Sequence, residues 1–272
     1  MIKKKITPKN RLDTLFYIKQ IWNYRFLSYS LAKGEIKQKY SKNSFGILYS
    51  IIQVVITLTV YWAIFGIVLN VDAFGIPYPL FALPGIIFWQ YFSNTISRIS
   101  STLHDSENLI SKLYFPRINL LLSRLLINVP ELIIGLLIYI ILLIIYSQLI
   151  SFLILWGFLL IFILIVITFG IGLWISMISL YNKNLGQVVI QLVQFCFFLT
   201  PVFYPGTIIP NSFKIFLYLN PIASIIEFFR SSLISIYPHD KMFILGIIIG
   251  TLMLLSGFFM FKKMERKITD ML

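Results

Sequence analysis

Charge and cysteine are what this chain has least of. Asp, Glu, Lys and Arg make up 12% of its 272 residues, and there is one cysteine, Cys196, beside two histidines. A single cysteine excludes an intrachain disulfide, and no Cys/His metal spacing exists. Set in an apolar run, Cys196 reads as a small buried hydrophobe. The phosphate-cradling pattern G-x-x-x-x-G-K-[ST] is missing, as are H-E-x-x-H and G-x-S-x-G. Of ten carboxylates, all but Glu131 and Glu227 lie in polar segments, and none is paired for acid–base work. The expectation is a chain without catalytic residues, metal site or cofactor of its own.

What is abundant is apolar surface. Hydrophobic residues reach 58% and the mean hydropathy is +0.88, more than a soluble domain of this length buries. The chain reads as an all-α integral membrane protein. Apolar stretches that can cross a hydrocarbon core of about 30 Å fall at 46–69, 76–97, 121–146, 149–180, 185–204 and 242–261, which predicts six spans. Ser147 and Gln148 separate the third and fourth, a tight hairpin. Residues 1–45 form a cytoplasmic amino-terminal segment and 46–272 a single transmembrane unit.

Charge orients that layout. With both termini on one face, that face holds 20 of the 23 lysines and arginines, and the other only Lys214, Arg230 and Lys241. Basic loops stay cytoplasmic, so both termini are expected there. The net charge of +13 then records topology, and nucleic-acid binding is not expected. The basic start lacks a following apolar h-region, so no cleavable signal is expected. Instead Leu12, Leu15, Phe16, Trp22, Phe26 and Leu27 recur at helical spacing against Asp13, Lys19, Gln20, Asn23 and Lys33, predicting an amphipathic helix in the interface among membrane lipids. It is either an anchor or a gating element.

Three regions carry further signals. In 98–117, RISSTLHDSENLISKLYFPR, Ser106 to Asn108 precede Leu109, Ile110 and Leu113, predicting a short helix that Pro116 stops; it either docks a partner or merely connects. His104 and His239 read as ordinary polar loop residues. Within the spans, Tyr49, Gln53, Thr57 and Tyr61 form one stripe, and Gln187, Gln191, Gln194 and Phe198 another. Lipid cannot satisfy amides, so these faces look toward protein or water. With Phe88, Trp89, Tyr91 and Phe92 they suit a hydroxylated chain, rings stacking on sugar C–H faces and amides bonding hydroxyls, or else they serve helix packing. Gly246 and Gly250 form a GxxxG for close helix approach, read as intrachain packing. Glu131, after Pro130, either bonds a neighbouring helix or serves a proton-coupled carrier. The third region, Gln194 to Arg230, runs a span into Pro201 and Pro205 and then stays apolar, predicting short re-entrant helices. There Glu227 and Arg230, at i and i+3, either latch a gate at its mouth or solubilise a helix end.

PYPLF, PG and FW at 77–89, SENLISKLYFPR at 106–117, LTPVFYP at 199–205 and LNPIASIIEFFR at 219–230 occur in an order that resembles the ABC-2-type permeases exporting polysaccharides such as O-antigen, capsule and teichoic acid. The resemblance covers nearly the whole chain. It implies a homodimer in the inner membrane with two copies of a nucleotide-binding subunit, which carry the ATP and Mg, and a lipid-linked polysaccharide as substrate. By position, it puts Ser106, Glu107, Asn108 and Lys112 on an ATPase-coupling helix. The first, second and fifth spans would line the path, with Tyr49, Gln53, Thr57, Tyr61, Phe88, Trp89, Phe92, Gln187, Gln191, Gln194 and Phe198. Residues 206–236, with Tyr204, Glu227 and Arg230, would form the extracytoplasmic gate. The alternatives are an ABC-2 exporter of drugs or lipids, a secondary transporter using Glu131, and a membrane-embedded glycan-modifying enzyme, for which no carboxylate or His cluster is found.

Overall fold

The structure, a computed structural model, describes residues 14–41, 46–147, 154–233 and 240–271. Among them every regular element is a helix: α1 (Thr14–Asn23), α2 (Arg25–Ser41), α3 (Ile47–Tyr61), α4 (Tyr78–Asp105), α5 (Glu107–Lys112), α6 (Ile118–Ile127), α7 (Val129–Ile145), α8 (Ile154–Tyr181), α9 (Lys183–Leu199), α10 (Lys214–Leu219), α11 (Pro221–Leu233) and α12 (Ile244–Met271). The basic start through Asp13, the 148–153 connection and His239 lie outside the described residues.

Four helices are long and apolar enough to cross a membrane: Ile47–Val68, Ile118–Ile145, Trp156–Tyr181 and Lys241–Glu265. A fifth arises if Asn211–Leu219 and Pro221–Ser232, which meet at 97°, count as one broken span. The expected count of six is therefore not reproduced by length and apolarity. The second stretch forms a helix of 28 residues, about 42 Å long, whose last third carries Ser97, Arg98, Ser100, Ser101 and Thr102. The fifth ends at Leu199 after 17 residues, five short of the predicted end, because Pro201 cannot continue it.

α4 is the axis of the fold. Twenty of its 28 residues are buried, against α7, α8, α9 and α11, which is why its polar positions are tolerated at membrane depth. α8 packs on α4 and on α12. Small residues permit the second contact. A Cβ on Gly170 would lie 2.5 Å from the Leu254 Cα, and one on Gly250 2.6 Å from the Ile167 side chain. Gly246 faces Ser224 and the Asn220 carbonyl of α11, so the GxxxG serves packing within the chain, as its sequence suggested. α3, by contrast, buries only Ser50, Val54 and Leu58 and continues as a π-helical turn, Trp62–Val68.

The amino-terminal segment forms two helices broken at Tyr24. Leu15, Trp22 and Phe26 of the expected apolar stripe are exposed, and the side that meets protein is Tyr17, Ser28 and Ala32. α2 lies along α6, Asn119 donating to the Ser28 hydroxyl at 2.9 Å. An outward apolar stripe beside an inward polar one is what a helix lying on a bilayer needs. The α8–α12 contact gives a test. Gly170→Ala should cost about 1–3 kcal/mol by overpacking and lower the melting temperature of the purified protein, while Gly34→Ala, with nothing within 4 Å of its Cβ, should leave it equal or higher.

Candidate functional site

Past Leu199 the chain leaves helical geometry inside the protein. Thr200 to Pro205 are all buried or half-buried, and Pro201 and Pro205 contribute no N–H. Such a turn exposes carbonyls that lipid cannot satisfy. Arg230 satisfies them. From α11 its guanidinium donates to the Pro201 carbonyl at 2.6 Å, the Val202 carbonyl at 2.6 Å and the Phe81 carbonyl at 3.0 Å. Glu227 completes the set at 3.0 Å, and the Phe81 ring lies 3.8 Å under the guanidinium carbon. A fork of five donors is what this requires, and lysine lacks it. Gly85 admits the turn, since a Cβ there would stand 2.8 Å from the Val202 carbonyl. Tyr78 donates to the Phe203 carbonyl at 2.9 Å and Asn220 to the Thr200 hydroxyl at 2.9 Å.

The expected pairing of Glu227 with Arg230 thus forms, but not at a mouth. Arg230 has no exposed surface, so it neither solubilises a helix end nor counts as an outer loop charge. It ties α4, the turn and α11 together. Tyr204 is half-buried and donates to the Phe198 carbonyl at 2.9 Å.

Phe203, at the centre of the turn, heads an aromatic cluster. It stacks on Tyr61 with ring centroids at 5.2 Å and on Phe65 at 4.6 Å, and meets Phe197 edge-on at 5.2 Å. Phe197 leads to Trp89, and Trp89 to Phe92. Of the residues singled out for a path, Tyr61, Trp89, Phe92 and Phe198 are therefore joined through Phe197 and Phe203. Phe88 is not among them. It is buried on another side of α4, edge-on to Phe229 at 4.7 Å. Gln187, Gln191 and Gln194 lie on an exposed face of α9. Tyr49 and Gln53 are likewise exposed on α3, where Thr57 donates to the Gln53 carbonyl at 2.8 Å. Phe65, Phe197 and Phe203 escaped the sequence reading, although the last sits within LTPVFYP.

At the opposite end of α4 the charges gather. Helix α4 continues to Asp105, so the first half of the 98–117 loop is helical, and His104 bonds the Ser179 carbonyl of α8 at 2.9 Å. The short helix forms as α5 and ends at Leu113, before Pro116 is reached. Glu107, Asn108 and Lys112 are exposed, Ser106 half-buried and Ile110 buried. Leu113 and Tyr114, at 53% and 62% exposure, continue the open face. Behind them the Glu265 carboxylate accepts the Arg117 backbone N–H, fixing the start of α6 to α12.

Glu131 finds its partner in Lys39 of α2. Glu35 likewise bridges Arg124 of α6 and, at 3.8 Å, Arg98 of α4. The signal for this was present. Ser28, Ala32, Glu35 and Lys39 recur at four, three and four, a stripe opposite the apolar one.

These features, several helices long and apolar enough to span a bilayer packed around a buried polar hub, define a multi-pass membrane protein. The sequence model of the ABC-2 type transporter family matches residues 27–234, and the chain belongs to that family, as a multi-pass membrane protein. Among curated proteins it is 27% identical over 244 residues to the O-antigen export system permease protein RfbA of Klebsiella pneumoniae, covering 89% of this chain and 93% of that one. It is 28% identical over 221 residues to RfbA of Myxococcus xanthus, covering 79% and 82%. To the polysialic acid transport protein KpsM of Escherichia coli it is 24% identical over 215 residues, covering 76% and 80%.

The buried hub makes a sharp prediction. Arg230→Lys keeps the charge but loses the fork, leaving buried carbonyls of Pro201, Val202 and Phe81 short of donors at about 1–3 kcal/mol each, and should lower thermal stability in detergent markedly. Glu227→Gln should do less, because three carbonyls still hold the guanidinium. Equal melting curves for wild type and Arg230→Lys would remove the hub from the account.

Proposed function

We propose that the chain is the membrane permease subunit of an ATP-driven exporter that moves a lipid-linked polysaccharide across the cytoplasmic membrane. The observation that carries this is near full-length similarity to proteins named for O-antigen export and polysialic acid transport, within the ABC-2 family. ATP and Mg belong on two copies of a separate nucleotide-binding subunit, and two copies of this chain form the pathway. Six spans follow if α4 and α9 are added to the four clear ones, with both termini on the basic, cytoplasmic side.

On this reading α5 is the coupling helix, presenting Ser106, Glu107, Asn108 and Lys112 to the ATPase. α10 and α11 are the short extracytoplasmic helices of the gate, which spans 206–236, although 234–236 lie outside the described residues. The path runs along α3, α4 and α9, where Tyr49, Gln53, Thr57, the exposed glutamines and the exposed Phe198 ring meet the polymer, backed by the Tyr61–Phe203–Phe197–Trp89 cluster, whose Phe203 and Trp89 are buried. Stacking on aromatic faces tolerates a sliding chain because every sugar ring offers a C–H face. Closure of the ATPases would push α5, and α4, continuous with it in sequence, would carry the displacement toward Arg230. Pairing with Lys39 supports a structural role for Glu131 over a proton-coupled carrier.

Co-expressed with an ATP-binding subunit encoded beside it, the chain should co-purify with it and support ATP-dependent transfer of lipid-linked glycan in vesicles. Charge reversal at both Glu107→Lys and Lys112→Glu should weaken that co-purification several-fold without altering the permease's own melting temperature. ATP-dependent transfer of a drug or simple lipid, with no glycan moved, would contradict the reading.

A further inference from the structure

Three helices enclose a polar cleft near the Lys39–Glu131 pair. Gln90 and Asn94, i and i+4 on α4, turn one face toward Gln53 of α3 and Glu131 of α7, and Ser50 lies beside them. The cleft is partly open, with about 350 Å³ of free space including its mouth. At its bottom there is room for about one water, so an edge of a ligand fits there and a whole ring does not.

The groups in it are unused by the fold. Elsewhere the amide N–H groups of Asn119, Asn128 and Asn220 donate to the Ser28, Thr95 and Thr200 hydroxyls, each at 2.9 Å, while the Asn119 and Asn128 amide oxygens have no partner among the described residues. Among the described residues no hydrogen bond takes the amides of Gln53, Gln90 or Asn94. The Glu131 carboxylate uses one oxygen, Oε1, for Lys39 and for Ser50 at 3.5 Å, leaving Oε2 without a partner among them. Each amide offers two donors and an acceptor, and the carboxylate oxygen accepts. Gln53 and Asn94 are exposed and Gln90 and Glu131 half-buried, so a ligand can reach all four.

Which ligand suits them follows from charge and hydrogen-bond polarity. Lys39 neutralises Glu131, so the site has no net positive charge to attract a phosphate, and the free carboxylate oxygen repels one. It accepts from a hydroxyl instead, while amides both donate to and accept from hydroxyls. Adjacent hydroxyls on a sugar ring present that mixed pattern along one edge. We propose that this cleft is a sugar-hydroxyl site at the cytoplasmic end of the path, contacted by the neutral glycan before it reaches the aromatic cluster. The inference rests on the polysaccharide reading above and adds Gln90, Asn94 and Glu131 to it as ligand-contacting residues.

The test uses the permease–ATPase complex in cells producing the host polymer. With Asn94 replaced by the photoreactive residue p-benzoylphenylalanine, irradiation should attach a glycan-staining ladder to the permease, and the same residue at Leu255, exposed on α12, should not. Capture of only a second copy of the chain, or only lipid, would overturn the proposal by giving the amides another partner. Independently, the double variant Gln90→Ala and Asn94→Ala should reduce surface polymer at least tenfold while co-purification with the ATPase stays at the wild-type level. Undiminished export would overturn the proposal. If the wild-type complex exports polymer and these results fail, the site alone is wrong; if the wild type exports none, the functional reading itself is wrong.

Discussion

A guanidinium shut away from solvent, that of Arg230, holds backbone that the chain cannot satisfy by its own helices. Wherever a polypeptide leaves helical geometry at membrane depth, its carbonyls need donors from protein. Here two prolines interrupt the path from α9 to α10, and one side chain answers for Pro201, Val202 and the Phe81 turn of α4 at once. Pro84 sits in that same turn, where a missing N–H already loosens the helix. Glu227 balances the charge, Gly85 gives the room, and Phe203 is thereby set against Tyr61 and Phe65. The aromatic cluster owes its position to a hydrogen-bond constraint more than to hydrophobicity.

The other end of α4 is organised by different physics. Charges there are partly exposed and paired in a chain that runs from α2 through Glu35 to Arg124 and Arg98, and through Lys39 to Glu131. Single exposed pairs contribute little, but several that tie one surface helix to three others fix its register. Glu265 adds a hold on the backbone where α6 begins. With α4 between a buried hub and an ionic, half-wet network, the charged and exposed groups of the fold gather at the end nearest α5.

How much of this could be read from the residues follows from which interactions are local. Helix positions came from apolar run length, and the short helix α5 from the residues at 106–113, because both are contiguous in sequence. The Glu227–Arg230 pair was visible at i and i+3, yet its burial was not, since that depends on Phe81 and Val202, far away along the chain. Lys39 was counted only as a topological charge, although its spacing from Ser28, Ala32 and Glu35 marked a protein-facing stripe. Phe88 looked interchangeable with Trp89 as an aromatic of the second span; one residue, a rotation of about 100° on a helix, puts it against Phe229 instead. The span count differed because α9 stops at Leu199 after 17 residues and α4 carries polar residues through its last third.

Hydrogen–deuterium exchange of the intact protein in detergent or nanodiscs tests the hub most directly, because slow exchange reports local opening free energy. The account predicts that the amides of Thr200 and Val202, which donate to the Cys196 and Thr200 carbonyls, exchange as slowly as the middle of α4, and that Arg230→Lys accelerates them selectively while the α8–α12 contact is unchanged. Wild-type exchange in this turn as fast as in the exposed segment Thr207 to Ile209 would contradict it.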